Sequence, residues 1–368
     1  SLGQAQPSCN QTLGTIVILA PQRNAQSFGV DRFCLLRQAI QSIDKHLTSR
    51  LCPYPIHVIV SSDPSHDPTG LDGVYTPADR ELLRGDGKSS DVVFVDVELY
   101  SGEALEPGTT PDMVYEWSKG VNGSVPGRPL GYRSMCRLFS GRLQTMSFLK
   151  KFRYYMRLDD DSLLTDNLGF DPFERMQEKG LQYVWRTTVR DKFGIEQLWG
   201  VARKFVPPKQ GLWVSNGVYT GHQPYNNFHV SRVDLWSSQA VLSLRDECDR
   251  AHCFLKYRVG DASFHAIVVM MLGEKEMERW GSFPCKHNTN EDRGFRKRVR
   301  IFCQTLRLRG ESGDVTQRNS RAVNNVSKES SSSPPPPPPS SSSSSSLSSP
   351  SSSSSPLSRQ RHVWLDVW

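Results

Sequence analysis

The first hundred residues alternate short apolar runs with amphipathic stretches. The runs at residues 15–20 (TIVILA), 56–60 (IHVIV) and 91–97 (DVVFVDV) have the length and continuity of strands that are buried on both faces. Between the first two runs, apolar residues recur at three- and four-residue steps from Val30 to Leu47, as on the buried face of a helix. Strands separated by helices predict an α/β fold with a mostly parallel central sheet, whose ligands bind at the carboxyl ends of the strands.

The remaining globular region continues this pattern after an interruption. Residues 100–131 are rich in Gly, Pro, Thr and Ser and predict a long surface excursion. Further strands are predicted at residues 153–158, 183–189 and 212–219, and helices at residues 142–151, 233–244 and 261–272. We therefore expect one globular region over residues 12–290, preceded by a stem remnant at residues 1–11.

Composition changes after residue 290. Residues 291–329 are rich in arginine without periodicity and predict a weakly structured extension. Residues 330–368 are mostly Ser and Pro, which cannot bury enough apolar surface to offset the entropy of ordering, and predict a disordered tail. The seven Lys and Arg of residues 293–309 account for the formal net charge of +7. Because the rest of the chain is close to neutral, a nucleic-acid-binding groove is not expected.

Cysteine usage and glycosylation sequons indicate a compartment. The chain has eight cysteines without CxxC spacing, and acceptor sequons begin at Asn10, Asn122 and Asn325. Both features are typical of a secretory-pathway lumen, where disulfides persist. The longest apolar runs are far shorter than the roughly 20 residues that span a bilayer. Since the sequence starts at Ser1 rather than at a methionine, we expect a membrane anchor to be missing from it.

Three consecutive carboxylates, Asp159, Asp160 and Asp161, follow the strand predicted at residues 153–158. Adjacent carboxylates at the end of a buried strand repel one another, and Mg²⁺ or Mn²⁺ would compensate that repulsion while binding phosphate oxygens. Because side chains alternate along a strand, Asp159 and Asp161 should point to one side and Asp160 to the other. The alternative is an acidic turn that caps the next segment.

Three segments resemble a known family: YRSMCRLFSG at residues 132–141, YYMRLDDDS at 154–162 and RVGDASFHAIVVMML at 258–272. In order and spacing they are similar to motifs of the fungal α-1,2-mannosyltransferases, glycosyltransferase family 15. The resemblance covers about residues 12–290 and implies a GT-A fold and a type II membrane protein of the Golgi lumen. It also implies Mn²⁺-dependent transfer of mannose from GDP-mannose, with retention, to a glycan on protein or lipid.

The resemblance implies roles for several residues. Asp159 and Asp161 match the family's acidic pair and would hold the metal. Asp159 would also bind the nucleotide-sugar donor. Tyr132, Arg133 and Arg137 match the donor-side motif, and the arginine fork suits a diphosphate because it donates two parallel hydrogen bonds. The metal's nitrogen ligand would be His287, the nearest candidate in the segment WGSFPCKHN.

On the sugar side the match is uneven. Asp261 and His265 match the acceptor-side motif, which implies a catalytic role for Asp261 and acceptor binding for His265. His229 stands where the family has its candidate nucleophile, a glutamate. Imidazole replaces that carboxylate poorly, because protonation would add positive charge beside an oxocarbenium-like centre. Three explanations stay open. The first is a front-face return, in which the leaving phosphate accepts the proton of the acceptor hydroxyl. The second is that another carboxylate, such as Asp234 or Asp261, takes the place of the glutamate, and the third is an altered or inactive enzyme.

Two other functions remain compatible with the sequence. The segment LDDDS also resembles acidic triplets of galactosyltransferases, so a different GT-A enzyme that uses a UDP-sugar is one alternative. A carbohydrate-binding pseudoenzyme that lost the nucleophile at His229 is the other.

Overall fold

The computed structural model describes residues 9–20, 22–23, 25–27, 30–61, 74–207 and 212–287, together with Lys297, Ile301 and Cys303. Most of the predicted stem remnant, arginine-rich extension and Ser/Pro tail lies outside these residues. The helices are α1 (Arg32–Ile43), α2 (Pro77–Asp86), α3 (Pro111–Ser118), α4 (Leu130–Arg137), α5 (Pro172–Glu178), α6 (Ile195–Ala202), α7 (Gln239–Arg250) and α8 (Asp261–Met271). The strands are β1 (Gly14–Leu19), β2 (Gln26–Ser27), β3 (Val30–Asp31), β4 (Ile56–Ser61), β5 (Val92–Val97), β6 (Tyr154–Asp159), β7 (Ser162–Leu164), β8 (Tyr183–Trp185), β9 (Thr188–Arg190), β10 (Val214–Ser215), β11 (Val218–Tyr219), β12 (His222–Pro224), β13 (Phe228–Arg232), β14 (Met277–Arg279) and β15 (Cys285–His287).

Seven of these strands form the central sheet, in the order β14-β8-β13-β6-β1-β4-β5. Strands β6, β1, β4 and β5 are parallel to one another, and β14 is parallel to β8. Strand β13 is antiparallel to both of its neighbours, so its first residues lie at the carboxyl ends of β6 and β8. The predicted α/β class with a mostly parallel sheet is confirmed.

Each face of the sheet carries its own apolar core. On β6, Tyr154, Met156 and Leu158 pack on the face that α1 covers, and Tyr155 packs on the face covered by α4, α7 and α8. This alternation is the period of two that an extended strand imposes on its side chains. Arg157 shares the second face, where its guanidinium lies 3.8 Å above the Phe139 ring.

Several sequence-based element predictions were wrong in detail. The helix predicted at residues 142–151 is absent: a single 3-10 turn at Leu143–Thr145 ends at Met146, whose backbone is extended, and irregular turns follow. The strand predicted at residues 183–189 is split into β8 and β9, and the one predicted at residues 212–219 is the hairpin β10–β11. The excursion at residues 100–131 contains helix α3.

Two further features bear on the predicted compartment. Cys9 and Cys52 form a disulfide that ties the segment before β1 to the loop before β4. Among the described helices, none has the length and apolar character needed to span a membrane.

Candidate active site

A cleft of about 560 Å³ opens at the end of the sheet where β1 and β6 finish and β13 begins. Leu19 and Asp159, which are paired in register at the ends of β1 and β6, both line it. Asn226 and Asn227 enter from the segment before β13, and Asp261 enters at the first turn of α8. The location agrees with the rule that ligands of such sheets bind beyond the carboxyl ends of parallel strands.

Two carboxylates and an imidazole converge in this cleft. A turn at Asp160 and Asp161 joins β6 to β7, and β7 pairs with β15 so that Ser162 lies opposite His287. His287 Nε2 lies 2.9 Å from Asp161 Oδ1 and 3.6 Å from Asp159 Oδ2. Ligand atoms of all three side chains lie within 4.8 Å of one another. The β7–β15 ribbon therefore brings together residues that lie 126 positions apart in the sequence.

These residues fit a hard divalent ion. Asp161 Oδ1 is buried and, within the described part of the chain, accepts no hydrogen bond of good geometry despite its closeness to His287. Two carboxylates and one imidazole are an ordinary ligand set for Mn²⁺, with further positions left for water and phosphate oxygens. Burial opposes protonation of His287, but the negative charges of Asp161 and Asp159 prevail and raise its pKa to about 10. The same concentration of negative charge would attract a cation.

Asp160 points to the other side of the turn, as the strand alternation predicts. Its carboxylate accepts two hydrogen bonds from Arg32, one of them from Nε at 2.8 Å to Oδ2, and both side chains are almost fully buried. Arg32 is the first residue of α1 and lines the cleft. The pair neutralises Asp160, so two rather than three carboxylates of the triplet remain available to a metal.

A second charged network connects the metal side of the cleft to α8. Arg157 donates to Asp159 Oδ1 from Nε at 3.2 Å and from Nη2 at 3.1 Å, and its Nη1 donates to Asp261 Oδ2. Asn226 Nδ2 also donates to Asp261 Oδ2, at 3.2 Å. Burial opposes the negative charge on Asp159, but Arg157 and His287 outweigh it and lower the pKa of Asp159. Arg157 therefore pairs with two cleft carboxylates and favours the ionised form of Asp159.

The donor-side residues separate into two groups. Tyr132 lines the cleft, and the Arg128 guanidinium lies 4.8 Å from the centre of its ring. Arg133 and Arg137 do not line it. Arg137 is buried and forms a bidentate ion pair with Asp249 at 2.9 and 3.1 Å.

Arg133 is 1% exposed and donates only to backbone carbonyls. The carbonyls that accept from it belong to Val125, Gly127, Arg128, Leu255 and Lys256. All three of its guanidinium nitrogens are engaged in this way. Arg133 and Arg137 therefore anchor loops and helices, and contact with a diphosphate would require these contacts to break.

His229 and His265 also lie in the interior rather than at the cleft wall. Both are 0% exposed. His229 Nε2 is 3.0 Å from the Tyr155 hydroxyl, and its ring stacks on Tyr183 at a centroid distance of 5.3 Å. His265 bonds the Tyr183 hydroxyl at 2.8 Å and the Phe139 carbonyl at 2.9 Å. Burial lowers the pKa of His265 to about 4 and that of His229 well below its usual range, so both are neutral.

Several residues that line the cleft were not predicted from the sequence. These are Arg32, Arg128, Arg190, Asp191, Gln223, Tyr225, Asn226 and Asn227. Arg157 carried a signal, since it stands two residues before the acidic triplet on the same strand. Arg32 carried none, because its partner Asp160 is 128 positions away, in the turn between β6 and β7.

A family model described as glycolipid 2-alpha-mannosyltransferase matches residues 125–287, the stretch that contains Tyr132, Asp159, Asp161, Asp261 and His287. Over these residues the chain is similar to this family, at modest identity. Its similarity to the O-glycoside alpha-1,2-mannosyltransferase omh1 of Schizosaccharomyces pombe is 30% identity over 157 residues, which is 39% of this chain and 40% of that protein. With the alpha-1,2 mannosyltransferase KTR1 of Saccharomyces cerevisiae it shares 26% over 176 residues, 44% and 45% of the two chains.

The fold is similar to that of a solved glycan-synthesising protein. Core-mannan synthase A from Aspergillus fumigatus, in its Mn/GDP form, superposes with a TM-score of 0.62 at 16% identity, over 77% of this chain and 76% of that one. At this identity the likeness establishes the GT-A-like architecture and nothing finer. In sequence, the match spans less than half the length of these two curated relatives.

Proposed function

We propose that this chain transfers mannose from GDP-mannose to a hydroxyl group of a mannose-containing glycan on protein or lipid, with retention, forming an α-1,2 linkage. One observation carries the proposal: residues 125–287, which match the family model, supply both the carboxylate–imidazole triad and the carboxylate at the start of α8 that face one cleft. The relatives named as α-1,2-mannosyltransferases and the neighbour with Mn and GDP support the same reaction.

In this proposal Asp159, Asp161 and His287 hold Mn²⁺. A bound divalent ion would neutralise the negative charge that develops on the departing diphosphate. Tyr132 and Arg128 form the neighbouring wall of the cleft, where Arg128 adds positive charge. Arg32 adds a second guanidinium at the rim, and Asp160 fixes its orientation.

We propose that Asp261 acts on the sugar side. Its Oδ2 accepts hydrogen bonds from Arg157 and Asn226, and these bonds orient the carboxylate. Its place in the first turn of α8 adds the favourable field of the helix N-terminus. Asp234, the other carboxylate considered, is largely exposed, pairs with Arg232 and does not line the cleft. A carboxylate at Asp261 would stabilise positive charge on a sugar during front-face return.

Donor choice tests this function directly. The chain would be incubated with Mn²⁺, methyl α-mannoside and either GDP-mannose or UDP-galactose. The expected result is an α-1,2-linked dimannoside from GDP-mannose alone, with the α configuration established by NMR and the activity lost on chelation. Turnover of UDP-galactose would identify a different GT-A transferase. Mannoside binding without turnover of either donor would identify the pseudoenzyme.

We also propose that the protein works in the lumen of the Golgi, as a type II membrane protein. The Cys9–Cys52 disulfide is the kind of cross-link that persists in an oxidising lumen. The sequon residues Asn10 and Asn122 are both exposed, so a luminal chain would present them for glycosylation. Chain made in a secretory pathway should lose mass on treatment with an N-glycosidase. An unchanged mass, with both asparagine peptides unmodified, would contradict luminal passage.

A further inference from the structure

The end of helix α7 brings two cysteines together inside the core. Cys248 lies in the last turn of the helix, and Cys253 lies three residues beyond its end. Both side chains are 0% exposed, and both are thiols in this structure. The two thiols are within hydrogen-bonding reach of each other.

Backbone geometry explains why these two side chains meet. The Cys253 N–H donates to the Cys248 carbonyl at 3.0 Å, and the His252 N–H donates to the Asp249 carbonyl at 3.1 Å. His252 itself has a left-handed φ of 52°. This combination of bonds and left-handed residue is the Schellman motif, which places the side chains of its first and last residues against each other. Contact between Cys248 and Cys253 therefore follows from the helix end itself.

The turn is held in place by the elements around it. Asp249 is paired with Arg137 of α4. Glu106 accepts a hydrogen bond from the Phe254 N–H at 2.9 Å, and its other carboxylate oxygen lies 3.4 Å from His252 Nδ1. A disulfide joins cysteines whose α carbons lie about 4.4–6.8 Å apart.

We propose that Cys248 and Cys253 are joined by a disulfide in the mature protein. The acceptor of the two electrons is another disulfide, either of a small thiol compound or of a dithiol oxidoreductase. One cysteine thiolate attacks it, forms a mixed disulfide and releases one acceptor thiol. The second cysteine then attacks the sulfur of its neighbour, closes the intramolecular bond and releases the second acceptor thiol. The two protons lost from the cysteines equal the two taken up by the acceptor.

The disulfide forms while the chain folds rather than after the protein has folded. The hydrogen bond with Cys253 and burial hold the pKa of Cys248 well above its usual range, so little thiolate is present in the folded chain. Before the core closes, both thiols are open to an acceptor. Once formed, the bond would hold the turn from which residues 254–260 run to Asp261 at the cleft.

Peptide mapping tests the proposal on the full chain secreted from a eukaryotic host. Free thiols would be alkylated in denaturant before digestion with trypsin, which cuts after Arg245, Arg250 and Lys256. The expected product is DECDR (246–250) linked to AHCFLK (251–256), two hydrogens lighter than the separate thiol peptides and separated by reduction. Peptides 1–23 and 51–80, linked through Cys9–Cys52, report that the preparation was oxidised. Peptide 134–137 reports alkylation of Cys136, a buried thiol.

Two results would overturn the proposal. One is recovery of both peptides in alkylated form from chains whose Cys9–Cys52 bond is intact. The other is a cross-link from Cys248 or Cys253 to a different cysteine. A Cys253→Ser variant provides the matched control, because it should convert peptide 246–250 completely to the alkylated form while leaving the 1–23 to 51–80 linkage unchanged.

Discussion

The cleft and the buried polar residues beneath it are built from the same sequence segments, yet their side chains differ in what they can still bind. The layer beneath consists of Arg133, Arg137, His229 and His265. In the cleft, Asp161 Oδ1 is buried without a good hydrogen bond. In the layer beneath, Arg133 uses all its nitrogens on backbone carbonyls, and both ring nitrogens of His265 have partners. A buried polar atom without a hydrogen bond costs about 1–3 kcal/mol. Asp161 Oδ1 has His287 Nε2 beside it at 2.9 Å, and a cation bound between the carboxylates would compensate that cost. The layer beneath contributes to folding instead.

This difference matters because the family motifs contain residues of the cleft and residues of the layer beneath it, and a match to a motif does not distinguish them. Arg133 and Arg137 stand on the same helix, α4, as Tyr132, and His265 stands one turn along α8 from Asp261. On α4 the helix period turns Tyr132 toward the cleft and Arg133 and Arg137, which are four residues apart, toward the core. On α8 Asp261 and His265 share one face, but His265 lies a turn farther along the helix and does not line the cleft. Variants on the two sides should therefore fail in different ways.

The largest effect is expected for Asp161→Ala. Loss of one metal ligand should lower the transfer rate by about 10²–10³-fold or more, because electrostatic stabilisation of the leaving diphosphate is lost. Rates would be measured with GDP-mannose over a range of Mn²⁺ concentrations, beside circular dichroism. Asp246→Ala, which removes an exposed carboxylate paired only with its neighbour Arg245, is the control. Transfer that persists in folded Asp161→Ala protein would remove this residue from the site.

Arg137→Met should act on stability instead of on the donor. Removal of one partner from a buried ion pair leaves Asp249 with Arg142 alone, and such changes cost about 3–5 kcal/mol of unfolding free energy. Urea denaturation would measure the loss, and Arg250→Met, an exposed arginine, should change little by comparison. An unchanged urea midpoint together with a raised KM for GDP-mannose would return Arg137 to the donor site.

His229→Glu should destabilise the protein without creating a nucleophile. The new carboxylate would be buried between Tyr155 and Tyr183, where an unpaired charge is unfavourable, and we expect a loss of about 2–4 kcal/mol. His229→Gln, which keeps a polar group opposite the Tyr155 hydroxyl, is the matched variant. Denaturation and transfer assays would be run together. A gain of transfer in His229→Glu would show that this position reaches the sugar.

The smallest effect is the pH dependence of stability. The pKa of His265 is about 4 in the folded protein, where burial disfavours its charge, against about 6.5 in an unfolded chain. Between these values the unfolded chain binds more protons, so the free energy of unfolding falls as the pH drops from 6.5 toward 4. His265 should account for about 1–2 kcal/mol of that loss between pH 6.5 and pH 5.

Urea titrations at several pH values measure this dependence. The slope of stability against pH should be shallower in His265→Gln than in the parent, whereas His222→Gln, at an exposed position, should keep the parental slope. Equal slopes in His265→Gln and the parent would mean that His265 already exchanges protons with solvent in the folded state.

The sequence alone determined the first three long strands, the helix between the first two of them, the α/β class and the acidic residues after β6, because hydrophobic periodicity and charge density are local properties. It also indicated which residue types could hold a metal. Strand β13 was missed although its sequence, FHVSR, alternates apolar and polar residues, because the run is only five residues long and its polar residues His229 and Ser231 are buried as well. The turns over residues 142–151 were mistaken for a helix because periodicity does not report backbone conformation, such as the extended backbone of Met146 that ends the first turn.

Only the tertiary structure decided which polar residues face the cleft. The pairing of β7 with β15 sets His287 beside Asp161, and the placement of α1 gives Asp160 its partner Arg32. These contacts join residues more than a hundred positions apart, so no local pattern encodes them. The same motif arginines could have pointed to a diphosphate or to backbone carbonyls. Their direction followed from how α4 and α8 pack against the sheet, because a side chain's partners depend on which elements the fold places beside it.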